Sequence, residues 1–138
     1  MEQELKLLGR DDILGTKDRI FDYVGCPEWG GKVRVRSLSA QENDEYEISI
    51  YENNLPAVEG EKPKERNVKA VLVALSVVDE KGRCLFTTAD IKELGKKSNA
   101  PIVRIWRKVR QISGIGEGAV DRAEKNSETG QSGDSTSD

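Results

Sequence analysis

Histidine is absent from the sequence, and cysteine and aromatic residues are scarce. Without histidine the chain has no Ser-His or Cys-His nucleophile pair, no imidazole acid or base, and no histidine metal ligand. Its two cysteines, Cys26 and Cys84, are too few for a disulfide framework or a four-cysteine zinc site. We therefore expect two reduced thiols, no catalytic residues, no metal and no other cofactor.

Long apolar runs are also missing. The longest, residues 70–78, has nine residues, well short of the ~20 that a membrane-spanning helix needs. The first five residues are acidic and lack the basic and apolar regions of an export signal. These absences predict an intracellular protein with no membrane partner.

Polar residues dominate the composition and suggest how the chain is divided. Of the 138 residues, 34% are charged and 36% hydrophobic, which fits one small core with polar extensions. Residues 126–138 contain no hydrophobic residue at all. The sequence therefore predicts a single domain over residues 1–118 and a polar, largely disordered tail over residues 119–138.

A β-hairpin is predicted near the N-terminus. Residues 20–24 are rich in β-formers, and residues 32–36 alternate strictly between valines and basic residues. Between them lies a segment with the glycine and proline punctuation of a chain reversal, residues 25–31. This pattern favours a hairpin with a long loop that carries Trp29.

About four helices are predicted after the hairpin, and residues 11–14 suggest one further helical turn. Ser39 and Glu42 form a capping box that opens an acidic helix to about Asn53, with Tyr46 and Ile50 facing inward. The remaining three helices span residues 68–78, 87–95 and 101–112. In residues 68–78, nine of eleven residues are Val, Leu or Ala. The run has enough β-branched residues for a buried strand, but its length and the polar residues before it favour a helix buried at the centre. Together these elements indicate an α+β fold in which the hairpin packs on a helical bundle.

The predicted helix over residues 101–112 has an apolar face, and its remaining surface is basic. Trp106 lies on the apolar face and is interpreted as a core residue rather than a stacking platform for bases. The basic face includes Arg104, Arg107 and Lys108. It is the best candidate to follow a phosphate backbone, and a solvated face or a partner for the acidic helix is the more ordinary interpretation.

Charge is distributed unevenly along the chain. Residues 1–60 have a net charge of −6, residues 61–113 of +7 and residues 114–138 of −4. This polarity suggests either internal docking of acidic on basic elements or association between copies of the chain. The net charge of −3 provides no strong overall attraction to nucleic acid.

Trp29 is the other candidate binding residue. Pro27, Gly30 and Gly31 place it in a loop, where an aromatic side chain either fixes the hairpin onto the helices or anchors a partner. The sequence leaves both interpretations open.

The segment from Cys26 to Ser39, with the letters CPEWGGKVRVRSLS, resembles a pattern of the tail assembly chaperones of long-tailed bacteriophages. In that family a segment PEWGG-x-V-x-V-R-x-L-S precedes an acidic helix. The similarity continues through the Ala/Val/Leu run at residues 68–78 and a D-x-x-G-x-x-L-F pattern that begins at Asp79. It ends near residue 128 and so covers most of the chain.

This resemblance implies a non-enzymatic factor that acts in the host cytoplasm during tail morphogenesis and is not part of the mature virion. The partners that it implies are the tape measure protein, the tail tube protein and a longer frameshifted form of the same chain. The charge distribution suggests further copies of the chain as another partner. The polar tail resembles the in-frame ending of the short form. The family supplies no catalytic or cofactor residues. The alternative from the residues alone is a small nucleic-acid-associated regulator that uses the basic helix over residues 101–112.

Overall fold

The computed structural model describes residues 5–56, 58–61 and 67–115. The predicted domain end at residue 118 and the predicted tail over residues 119–138 lie outside these ranges. The helices are α1 (Arg10–Gly15), α2 (Ala40–Asn53), α3 (Val68–Ser76), α4 (Ile91–Leu94) and α5 (Asn99–Ile112). The strands are β1 (Phe21–Cys26), β2 (Gly31–Arg36) and β3 (Val77–Val78), and 3₁₀ turns occupy Pro27–Trp29 and Thr88–Asp90.

The predicted hairpin is present. β1 and β2 are antiparallel, with Tyr23 opposite Arg34 and Val24 opposite Val33. Val33 is partly buried and Val35 is fully buried, so the valines of β2 face the core as the alternation predicted. The loop is shorter than expected, because β1 continues to Cys26 and β2 begins at Gly31.

A third strand extends the hairpin into a sheet of order β1-β2-β3. The prediction that the central helix continues to Val78 is wrong, because the helix ends at Ser76 and the next two residues pair with β2. Val77 and Val78 are only 1% and 2% exposed. Because both are β-branched, they favour the extended backbone conformation that pairing with β2 requires. The short strand suggested for residues 83–86 is limited to one bridge, between Cys84 and Val78.

Two arginines of β2 attach the segment after β3 to the sheet. The Arg34 guanidinium donates to the carbonyls of Asp79 and Glu80, at 3.3 and 3.0 Å. Arg36 donates to the carbonyl of Gly82 at 3.4 Å. These side-chain hydrogen bonds thus help to keep β3 and the residues after it on the sheet, because a strand of two residues forms few backbone hydrogen bonds.

The predicted capping box starts α2. The hydroxyl of Ser39 accepts from the Glu42 amide at 3.1 Å, and the Glu42 carboxylate accepts from the Ser39 amide at 2.9 Å. The same carboxylate lies 2.6 Å from the guanidinium of Arg19 and 2.8 Å from that of Arg36. The Glu42 side chain therefore caps the start of the helix. It also fixes the helix to the open end of the hairpin, where Arg19 precedes β1 and Arg36 ends β2.

The core is centred on α3, which packs against α2, α4 and α5. Leu72 is fully buried and meets a cluster to which Ile105 and Val109 of α5 also belong. α5 packs against both long strands of the sheet. The α+β fold, with a sheet on a helical bundle, is confirmed.

Tyr46 and Trp106 connect α2 to α5 inside this core. Tyr46 is buried, and its hydroxyl accepts from the Trp106 indole N–H at 2.8 Å. Trp106 is partly buried and packs against the core, as predicted. The Arg110 guanidinium lies 4.4 Å from the centre of the same ring system.

Candidate partner-binding surface

The tip of the hairpin presents Trp29 on a tight turn. Pro27 has the backbone angle that the first position of a 3₁₀ turn requires, and the amide of Gly30 donates to the Pro27 carbonyl at 3.0 Å. Gly30 has a φ of 81°, a left-handed conformation that favours glycine. Trp29 is 39% exposed, so a substantial part of the ring is accessible to a partner.

An ion pair holds this tip against α5. The Glu28 carboxylate and the Arg104 guanidinium form two parallel hydrogen bonds of 3.0 Å each, and Arg104 also donates to the Gly25 carbonyl at 3.0 Å. The hydrogen bonds from Arg104 lower the pKa of Glu28 to about 2. The bonds to Glu28 in turn raise the pKa of Arg104. Because Glu28 precedes Trp29 directly, the pair restricts the backbone that carries the ring.

Lys108 makes a second connection between α5 and the hairpin. Its ammonium lies 3.3 Å from the carboxylate of Asp22 in β1. The pKa of Asp22 is lowered, first by the hydrogen bond from the Tyr23 amide and then by Lys108. Of the interpretations left open for the basic face, a partnership with the acidic helix is not the one found among the described residues. The hairpin supplies the carboxylates that pair with Arg104 and Lys108, and the Glu42 carboxylate of α2 binds Arg19 and Arg36.

Arg107 remains exposed and forms no ion pair with a described residue. The predicted site residues are therefore not equivalent. Trp29 and Arg104 meet at the hairpin tip through Glu28, Lys108 is bound to Asp22, and Arg107 faces solvent. With two of its cations paired to carboxylates, α5 offers phosphate groups less positive charge than the sequence suggested.

Sequence reasoning missed an apolar surface on α2. The exposed fractions of Ile48, Tyr51 and Leu55 are 55%, 67% and 44%. Their spacing of three and four residues was a readable signal, because it places them along one side of a helix. Tyr46 and Ile50 explained the core-facing side, so this second stripe was not recognised.

The N-terminal segment is a further exposed apolar region. Leu5, Leu7, Leu8, Ile13 and Leu14 are all more than half exposed, and Leu7 is 97% exposed. The short helix α1 forms within this segment as predicted and buries none of its residues. These apolar side chains therefore do not belong to the core of the described chain and are free to contact a partner.

Two open clefts lie where α2 ends and α3 begins, with volumes of about 260 and 220 Å³. Their walls share Asn53, Asn67 and Val68, and the larger cleft also includes Lys69 and Lys97.

Across residues 5–56, 58–61 and 67–115, no group of three or more acidic or cysteine side chains is placed to hold a metal ion. In the same ranges no helix combines the length and the apolar character required to span a membrane.

Comparison with known proteins relates this fold to one solved structure in particular. No protein-family model matches the chain, and no curated protein matches it. Among solved structures, the chain is similar to the tail assembly chaperone of bacteriophage HK97, with a TM-score of 0.55 and 15% sequence identity. The match covers 78% of this chain and 95% of the HK97 protein. The chain thus shares its fold with the HK97 tail assembly chaperone, a protein of the family that the segment Cys26–Ser39 resembles.

Proposed function

We propose that this protein is a non-enzymatic tail assembly chaperone that binds tape measure and tail tube proteins while a phage tail forms. The observation that carries the proposal is the fold shared with the HK97 chaperone over 95% of that protein's length. The motif at residues 26–39 is independent support, because it was identified from residue letters alone.

Exposed apolar surface supports a binding role. Monomeric proteins rarely leave large apolar groups together in water without a partner. Here two groups of apolar side chains are exposed, the N-terminal leucines and, on α2 and just after it, Ile48, Tyr51 and Leu55. A factor that keeps aggregation-prone proteins soluble needs such surfaces, whereas an enzyme needs a lined pocket with acids and bases at fixed separations.

We assign the first client contact to Trp29, with Arg104, Arg107 and Lys108 beside it on α5. Trp29 is accessible, and the Glu28–Arg104 pair restricts its backbone before any partner arrives. A residue whose backbone is already fixed loses less conformational entropy on binding. Large aromatic side chains at such positions often contribute much of the interface energy. Arg107 adds an exposed cation on the same helix, one that forms no ion pair within the part of the chain that the structure describes.

The proposal extends to partners and location. The resemblance supports a longer frameshifted form that shares this domain, action in the host cytoplasm, and absence from the mature virion. Copies of the chain are further proposed partners, since residues 1–60 carry net −6 and residues 61–113 net +7. Part of this attraction acts within the chain, where Arg104 and Lys108 pair with Glu28 and Asp22.

Co-expression with the tape measure and tail tube proteins of the same phage tests the proposal. The chain should hold at least one of them in solution and co-purify with it. Trp29→Ala should reduce the co-purified amount, and Leu85→Ala serves as the control because Leu85 is exposed and lies outside the hairpin tip. Failure to retain either protein, with the chain itself folded, would refute the proposed function. Salt-sensitive binding to DNA in its place would support the nucleic-acid alternative.

A further inference from the structure

The outward side of α2 carries apolar side chains that no described part of the chain covers. Ile48, Tyr51 and Leu55 are 55%, 67% and 44% exposed and form what we call the outer stripe. They follow one another at intervals of three and four residues, along one side of the helix and the turn that continues it. The side of α2 that carries Tyr46 and Ile50 packs into the core. α2 is therefore apolar on two sides, and the core uses only one.

Carboxylates border the outer stripe. Asp44 and Glu52 each lie four residues from Ile48, and Glu45 lies three residues before it, so all three project near the same side of the helix. Together with Glu47 they are exposed, and none of the four forms an ion pair with a described residue. No Lys or Arg occurs anywhere from residue 40 to residue 61. The surface thus combines an apolar strip with charge of a single sign.

We propose that the outer stripe binds a basic amphipathic helix of a client protein; this inference rests on the proposed chaperone function and names a second client surface. A partner helix presents apolar side chains at the same spacing, so that two such stripes pack together. Lys or Arg side chains beside the partner's stripe would then face the carboxylates of α2. At ~1.5 Å per residue the stripe is ~10 Å long, so a partner helix of about three turns covers it.

The described helices of a second copy do not fit this surface. α5 is basic, but its apolar residues Ile105 and Val109 are fully buried in its own core. α1 carries Asp11 and Asp12 in its first turn, and a second α2 would bring like charge. The chemistry of the surface therefore favours a different protein over another copy of this chain.

One segment of the chain does combine leucines with cations, and the experiment must exclude it. Residues 5–10 include three exposed leucines together with Lys6 and Arg10. If this segment of another copy occupied the outer stripe, substitution of the stripe would change the oligomeric state of the protein. Sedimentation of every variant alone therefore accompanies the binding measurements.

The test uses three labelled synthetic peptides and the full chain. The first is an 18-residue Leu/Lys helix with leucines on one side, the second carries Glu in place of Lys, and the third is the Leu/Lys composition with the leucine pattern scrambled. We expect the patterned Leu/Lys helix to bind best. The double variant Ile48→Ser, Tyr51→Ser should bind it at least about tenfold more weakly, whereas Leu85→Ser, at a similarly exposed position outside α2, should bind within about twofold of the parent.

Two further variants separate packing from charge. Tyr51→Phe keeps the apolar ring and should retain binding. Asp44→Asn with Glu52→Gln should weaken binding and reduce its salt dependence, because two of the bordering charges are removed. Circular dichroism of each variant checks that it is folded, and since these side chains point to solvent their removal should not unfold the domain.

Equal binding of the patterned and scrambled peptides would overturn the inference, because attraction between opposite charges alone would then explain it. It would also be overturned if the double variant kept full affinity, or if it changed only the sedimentation of the chain. In the co-expression experiment, a client that is retained equally by the parent and the double variant would refute the inference and leave the proposed function standing. If no client is retained at all, the proposed function fails, and the peptide measurements still decide whether the stripe is a helix-binding surface.

Discussion

The two tryptophans should differ sharply in what they contribute to folding. Trp106 packs against the core and donates to the Tyr46 hydroxyl at 2.8 Å. Removing a buried large aromatic side chain costs ~3–5 kcal/mol, and because Trp106 is only partly buried we take the lower end, ~3 kcal/mol. The buried Tyr46 hydroxyl would also lose its donor, at ~1 kcal/mol. Trp106→Ala should therefore lower the free energy of unfolding by ~4 kcal/mol.

Trp29→Ala should be nearly neutral for folding. Trp29 is 39% exposed and does not belong to the core cluster, so its removal should cost less than ~1 kcal/mol. Client retention should nevertheless fall with Trp29→Ala, and by more than with the control Leu85→Ala, which also leaves the core intact. The contrast of ~3 kcal/mol between the two alanine variants is large beside the ~5–15 kcal/mol that stabilises a typical domain.

Urea titration followed by far-ultraviolet circular dichroism measures both variants without depending on tryptophan fluorescence. Trp106→Phe is the matched control, since it keeps one aromatic ring against the core and loses the pyrrole ring with its N–H donor. It should cost ~1–2 kcal/mol, less than Trp106→Ala. If Trp29→Ala destabilises the domain as much as Trp106→Ala does, Trp29 stabilises the hairpin against the helices. The client surface would then lie elsewhere.

Three further predictions concern the core, the ion pair at the hairpin tip, and the C-terminal residues. Leu72→Ala should lower the free energy of unfolding by ~2–5 kcal/mol in a denaturant titration, because Leu72 is fully buried; a loss below ~0.5 kcal/mol would show that the α3 core is assigned wrongly. The pKa of Glu28 is lowered from 4.5 to about 2, so its contribution to stability should be complete above about pH 4.5 and lost as the pH falls towards 2. The difference in thermal midpoint between the parent and Glu28→Gln should accordingly be present at pH 6 and vanish near pH 2, and a constant difference would contradict this assignment. Deletion of residues 126–138, which contain no hydrophobic residue, should leave the thermal midpoint unchanged, and a clear decrease would show that these residues stabilise the domain.

Local signals in the sequence predicted much of the fold. The capping box at Ser39 and Glu42 located the start of α2, and the spacing of apolar residues located α5 to within two residues of its start. The end of α3 was not predictable in this way. Val77 and Val78 continue the apolar run without interruption, and their strand conformation depends on pairing with β2, more than forty residues earlier in the chain.

The candidate site was less predictable because its contacts are non-local. The letters identified Trp29 and the cations of α5, yet Arg104 meets Glu28 from 76 positions away in the sequence. No spacing rule anticipates that pairing. The outer stripe was different, because the spacing of Ile48 and Tyr51 could be read directly, as the inward spacing of Tyr46 and Ile50 was. Only the exposure of this second side had to come from the structure.

The hydrogen bonds from Arg34 and Arg36 to the carbonyls of residues 79–82 have a consequence for how the domain opens. A strand of two residues provides too few backbone hydrogen bonds to persist by itself. Its segment should therefore separate from the sheet only when the hairpin that carries both arginines also separates. Amide protons on β2 and on residues 77–84 should then exchange with solvent at matching rates, as one cooperative unit, even though forty residues of sequence lie between the two segments.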